Sequence, residues 1–256
     1  MNFEFEINRQ EVLRYLKTDD NLEDQSINKL IDEAVEEIKE LINFRYIYKK
    51  FSIKVEENGV DVLNTTLFLA GESIKKHLEN SDDIYLMAAT IGNQVDKRIS
   101  FYEKTSITKS MILDACATTA IEEGCDYVEE QIKKEVLRSG NSDITFRYSP
   151  GYGDLDIDIQ QDFLRVLNAP KKIGLTASKY NMLLPSKSVT AIIGVLDNQK
   201  HESEEATANS DKSKIIGNKN SKLKRDIEFE EKNCKYCRLF KECELRKKGI
   251  YCEAKK

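Results

Sequence analysis

The chain has 256 residues, 40 % hydrophobic and 33 % charged, with a formal net charge of -5. That length suits one fair-sized core with an appendage. No apolar run of about 18 residues is present, which argues against a membrane span; the acidic and apolar start, Met1 to Gln10, lacks the basic and then apolar pattern of a signal peptide, so a cytoplasmic protein is expected.

Residues 24–43 read as an amphipathic helix, with Ile27, Leu30, Ile31, Val35, Ile38 and Ile42 at three- and four-residue steps. Residues 51–55 alternate as a strand does. Residues 72–79 form a short helix after Gly71. The apolar run 84–91, ended by Gly92, is a buried strand. A long helix is expected over 107–138, with Ile121, Cys125, Val128, Ile132 and Val136 on one stripe and Ser139-Gly140 closing it. Residues 144–148 look like a strand, 159–167 a short helix, 168–170 a loop, and the β-branched run 188–195 the last strand. Strands and helices mix without regular alternation. The expected class is therefore α+β with a mixed or antiparallel sheet. No glycine-rich nucleotide loop of the dinucleotide or P-loop type is present.

Residues 1–197 thus make a body, 198–226 a polar flexible linker, and 227–256 a cysteine-rich tail. Residues 212–256 hold 15 Lys and Arg against 7 Asp and Glu, a net of +8, which leaves -13 on residues 1–211. Such a basic end suits a negatively charged partner. Cys234, Cys237, Cys243 and Cys252 are spaced as a metal site in a segment too poor in apolar residues to fold alone. Four thiolates suit tetrahedral zinc or an iron–sulfur cluster, and the spacing leaves both open. Cys116 and Cys125, in the body, read as small core residues. Of the two histidines, His77 falls on the short helix as a surface or packing residue and His201 in the linker. Asp114 and Glu122 share a helix face two turns apart and read as structural or solvated.

Arg147-Tyr148-Ser149-Pro150-Gly151-Tyr152-Gly153 is the most informative stretch of the body. An arginine at a strand end can hold a carboxylate through two parallel hydrogen bonds. Pro150 and Gly151 enforce a turn, and glycine lets a ligand approach the backbone and its N–H groups. The Tyr152 ring face attracts a cation. An amino-acid carboxylate beside a positive sulfonium suits Arg147, Ser149, Gly151 and Tyr152 together.

The stretch FRYSPGYG resembles the Arg-Pro-x-x-Gly-Tyr motif of the activation domain of cobalamin-dependent methionine synthase. Leu175-Thr176-Ala177-Ser178, Met182 and Pro185-Ser186-Lys187-Ser188-Val189-Thr190 resemble a second segment of that domain, in the same order. LAGESIKKHL, AATIGNQVDKRI and ILDACATTAIEEGCDYVEEQI resemble its free-standing relatives in anaerobic bacteria, so that the resemblance spans about residues 8–196. It departs at about Ile193, where the family has a tyrosine near the methyl group, and in having no tryptophan.

The resemblance implies an enzyme component that binds S-adenosylmethionine, at Arg147 with Ser149, Gly151 and Tyr152 beside it. It would present the methyl group to the cobalt of a partner, reactivating a cobalamin-dependent methionine synthase or related corrinoid protein. Cobalamin would arrive on that partner and the electron from a flavodoxin- or ferredoxin-like donor, with the tail a candidate relay and no general acid or base needed. Two other readings compete. One is methyl transfer from S-adenosylmethionine to a different substrate. The other is a zinc-tail nucleic-acid-binding regulator, disfavoured by the sparse aromatics and the absence of a recognition helix.

Overall fold

The computed structural model describes residues 3–18, 25–140 and 143–196. In chain order the elements are α1 (Arg9–Tyr15), α2 (Gln25–Leu41), β1 (Arg45–Glu56), β2 (Gly59–Val62), β3 (Phe68–Ala70), α3 (Glu72–His77), β4 (Ser81–Thr90), α4 (Asn93–Thr105) and α5 (Ile107–Arg138). They continue with β5 (Asp143–Ile144), a 3-10 turn at Ile157–Ile159, α6 (Gln160–Leu167), α7 (Ala169–Ile173), β6 (Thr176–Ala177), β7 (Leu183–Leu184) and β8 (Ser188–Leu196). The fold is α+β. A six-stranded sheet runs β3-β2-β1-β4-β8-β5, and β6-β7 form a separate hairpin. The β1·β2, β2·β3, β5·β8 and β6·β7 pairings are antiparallel. The linker and the four-cysteine tail lie outside the described residues.

Two compact units divide the chain. The first comprises Met1–Lys49, Leu86–Ile132 and Asp158–Ala191. Its core takes Ile31 and Ile38 from α2, Leu86, Met87 and Ile91 around β4, and Val95 from α4, all fully buried. The α5 stripe is buried as its spacing predicts: Ile121, Cys125, Val128, Ile132 and, beyond this unit, Val136 are at most 4 % exposed. Each such side chain contributes about 1.5–3 kcal/mol on leaving water. Burial also pushes the Cys116 thiol up to about 12, so it stays protonated near neutrality and is a packing residue.

The second unit comprises Lys50–Tyr85, Lys133–Ile157 and Ile192–Lys256. Val60 and Val62 of β2, Leu67, Leu69 of β3, and Ile74 and Leu78 of and after α3 form its core. Tyr85 donates to Glu135 Oε1 at 2.9 Å, tying β4 to the end of α5.

Several elements differ from expectation. The α1 helix is capped by Asn8, whose side chain accepts from Gln10 N at 2.9 Å, a signal its short length hid. The β1 strand begins at Arg45, well before residue 51. The α4 helix was not expected, although Val95 and Ile99 stand one turn apart after Gly92. Residues 168–170 are no loop: Asn168, at φ 56°, ends α6 and starts α7, whose first turn accepts Pro170 because proline lacks only an N–H that is unpaired there. The strand expected over 144–148 is continuous only to Ile144 and resumes in a single bridge, Tyr148 to Ile192.

Candidate ligand-binding turn

Residues 147–155 follow β5 within the second unit. Gly151 N donates to Leu155 O at 2.8 Å, Tyr152 N to Ser149 O at 3.2 Å and Leu155 N to Tyr152 O at 3.1 Å. Leu155, 1 % exposed, and the buried Pro150 anchor the turn. The expectation that the N–H groups here stand open to a ligand is therefore corrected for Gly151 and Tyr152, because the turn closes on itself and uses both. What stays open is space. A Cβ on Gly151 would meet nothing nearer than Ile157 at 3.9 Å. Tyr152 is 53 % exposed, and Arg147 and Ser149 are half-buried. The four residues named from the sequence thus lie on one short turn with an accessible side.

The turn is held to α3 by a residue that sequence reasoning missed. Helix α3 starts on Gly71, at φ 131° and ψ 152°, and has no capping side chain of its own. Its Glu72 and Ser73 N–H groups donate instead to the Asp154 carboxylate, at 2.7 and 3.0 Å. Asp154 thus caps a helix 82 residues away in sequence. Burial pushes its carboxyl up, but the Glu72 and Ser73 donors outweigh this and hold it below its ordinary value. A Cβ on Gly71 would lie 2.6 Å from Asp154 Oδ1, so glycine is required there by contact as well as by backbone angle. The one available signal was that pairing of an uncapped Gly71-Glu72 start with an acidic residue just after the GYG turn.

Gly153 is the second position that demands glycine. At φ 56° its Cβ would lie 2.4 Å from Tyr148 Oη and 2.9 Å from Ser73 Oγ. Tyr148 Oη donates to Tyr152 O at 3.2 Å, and burial raises the phenol above its ordinary value.

His77, at the end of α3 and read from the sequence as a surface or packing residue, packs against the turn's own stem. Its ring lies 4.4 Å from that of Phe146 and 4.9 Å from that of Tyr148. Its Nε2 is 3.0 Å from Thr145 Oγ1. Burial pushes its pKa down to about 4, against a smaller upward pull from the Phe146 backbone, so it is neutral at physiological pH.

The other stretch named from the sequence lies in the first unit. Ser178 Oγ accepts from Tyr180 N and Met182 N, both at 3.2 Å, and Ser178 N donates to Met182 O at 2.8 Å. These bonds shape the β6–β7 hairpin, which the sequence reading did not anticipate. Ser186 donates through N and Oγ to the Asp96 carboxylate, each at 2.7 Å. Lys187 Nζ reaches Asp114 Oδ1 at 2.8 Å and Thr118 Oγ1 at 2.9 Å, so Asp114, read from the sequence as structural or solvated, stands in an ion pair. Ile193 is fully buried.

Among the described residues no group of three or more His, Cys, Asp or Glu is placed to hold a metal ion, and Cys234, Cys237, Cys243 and Cys252 lie outside them. No described helix is long and apolar enough to cross a membrane.

No protein-family model matches the chain, and no curated protein matches it. Among solved structures it is similar to a crystal structure of the MetH reactivation domain bound to AdoHcy, with a TM-score of 0.56 over 93 % of this chain and 77 % of that one. The two are 14 % identical, so the likeness is one of fold.

Proposed function

We propose that this protein binds S-adenosylmethionine on the Arg147–Leu155 turn and serves the reductive reactivation of a corrinoid protein, a cobalamin-dependent methionine synthase or a relative. The observation that carries this is the coincidence of two independent likenesses. The fold is similar to that of a reactivation domain holding AdoHcy, and the stretch that resembles the family's binding motif forms a closed turn with one open side.

The residues fit such a ligand. Arg147 would hold the amino-acid carboxylate, Ser149 would add a hydroxyl, and the exposed Tyr152 ring would face the sulfonium. Gly151 leaves room for close approach of the backbone. When bound, S-adenosylmethionine supplies the methyl group that makes an uphill one-electron reduction of cobalt irreversible. The chain's own part is to bind, orient and exclude water, and the neutral His77 beneath the turn fits a site that moves no proton. Cobalamin would come on the partner and the electron from a flavodoxin- or ferredoxin-like donor. Cys234, Cys237, Cys243 and Cys252 would hold zinc or an iron–sulfur cluster.

Calorimetry with S-adenosylhomocysteine tests the binding. Arg147→Ala is expected to weaken it more than tenfold, the loss of a charged hydrogen-bond pair; unchanged affinity removes Arg147 from the site. Methyl transfer is then assayed with and without a cobalamin-bearing protein. Turnover that needs no cobalamin would overturn reactivation in favour of an ordinary methyltransferase.

A further inference from the structure

The strand that leads into the turn contains one residue too many. Asp143 pairs with Leu196 and Ile144 with Val195, yet the next pair is Tyr148 with Ile192. Three residues, 145 to 147, therefore stand opposite two, 193 and 194, which is a β-bulge. Its hydrogen bonds show how it is held. Thr145 N donates to Gly194 O at 2.9 Å as a ladder residue would. The return bond from Gly194 N goes to the Thr145 hydroxyl, at 2.8 Å. Thr145 Oγ1 then lies 3.0 Å from His77 Nε2 and 3.3 Å from Phe146 O, so the hydroxyl that accepts from Gly194 N keeps its own proton for one of these two neighbours.

Side chains show the same irregularity. Successive residues of a regular strand point to opposite faces. Here the Thr145 hydroxyl and the Phe146 ring both reach His77, and so does the ring of Tyr148. Three of the four residues 145 to 148 thus converge on one imidazole, which strict alternation would not allow. Without the extra residue Arg147 would stand opposite Ile192, where Tyr148 now sits, and every later side chain would change face.

We propose that the bulge, kept open by the Thr145 hydroxyl on Gly194 N–H and seated on His77, is the device that aims Arg147 at the ligand, with Thr145 and His77 as positioning residues. The inference rests on Arg147 being the carboxylate anchor.

The test compares Thr145→Val, which keeps the shape and removes the hydroxyl, with Thr145→Ser, which keeps the hydroxyl, both in the full chain. S-adenosylhomocysteine should bind Thr145→Val at least tenfold more weakly and Thr145→Ser within about threefold of the parent. Equal binding by Thr145→Val overturns the proposal. If the parent chain binds no S-adenosylhomocysteine, the Arg147 assignment fails separately, and the bulge is judged by amide hydrogen exchange at Gly194. Exchange at least tenfold faster in Thr145→Val supports the device, and unchanged protection refutes it. Should Thr145→Val not fold, His77→Phe keeps a ring between Phe146 and Tyr148 without the nitrogen and takes its place in both measurements.

Discussion

Two helices of this protein begin in the same unusual way and end up doing opposite things. Helix α3 starts after Gly71 and α4 after Gly92, at φ 131° and 90°, and neither glycine supplies a capping side chain. In the second unit the deficit is met from outside, by the Asp154 carboxylate that the Arg147 turn lends to the Glu72 and Ser73 N–H groups. In the first unit the carboxylate runs the other way. Asp96, in the first turn of α4, reaches out to the N–H and hydroxyl of Ser186. A helix start bare of its own cap is thus a place where a distant loop is fastened. The loop that gives the carboxylate, being capped onto a helix by its own side chain, is fixed by a bond that either partner's loss would break.

The largest difference expected between the two fastenings is in acid. His77 is half-buried under the stem of the Arg147 turn, and among the described residues the first unit has no histidine at all. Above about pH 6.5 it is neutral in both the folded and unfolded chain, so it costs nothing. As pH falls toward its folded value of about 4, the unfolded chain takes a proton that the folded chain refuses. Stability should drop through that window by about 3 kcal/mol, and then stay level. Denaturant melts at pH 7 and pH 4.5 check this: His77→Gln should abolish most of the loss, and a loss as large in the variant as in the parent would assign it elsewhere. Asp154, whose carboxyl is held low, gives way only below the ordinary carboxylate range, so its effect is separable.

The next effect is that of Asp154→Ala, expected to cost about 2 kcal/mol, because two helix N–H groups lose their acceptor and the turn loses its hold. It should weaken S-adenosylhomocysteine binding along with the melt. A normal melt with normal binding would mean that the turn is held without the cap.

How far the sequence carried the reading follows from which interactions are local. The α5 stripe, the β4 run and the β8 run were legible because burial of a periodic face is written into the spacing of Ile121, Cys125, Val128 and Ile132, or into an unbroken apolar run. The turn at Pro150-Gly151 was legible from its residue types. What was not legible is what depends on a partner far along the chain. Asp154 on α3, Asp96 on Ser186 and Thr145 on Gly194 are separated by 82, 90 and 49 residues. Helix α4 was missed for a different reason: its two buried residues, Val95 and Ile99, are too few to raise a periodic signal. The bulge escaped for a third, since alternation over 144–148 looks regular until the opposite strand fixes the count.

The smallest effect bears on the other fastening. Asp96 receives two bonds from one residue, at Oδ2 from Ser186 N and at Oδ1 from Ser186 Oγ. Both are exposed, and each is worth less than a buried charged hydrogen bond, so Asp96→Ala should cost about 1 kcal/mol. Ser186→Ala removes only the hydroxyl and leaves the N–H on the carboxylate, and should cost about half as much. The double variant should cost no more than Asp96→Ala alone, because the Ser186 hydroxyl has already lost its acceptor. Additive losses in chemical melts would show that the two residues act through different partners. The contrast between a loop that caps a helix and a helix that holds a loop would then fail at this end.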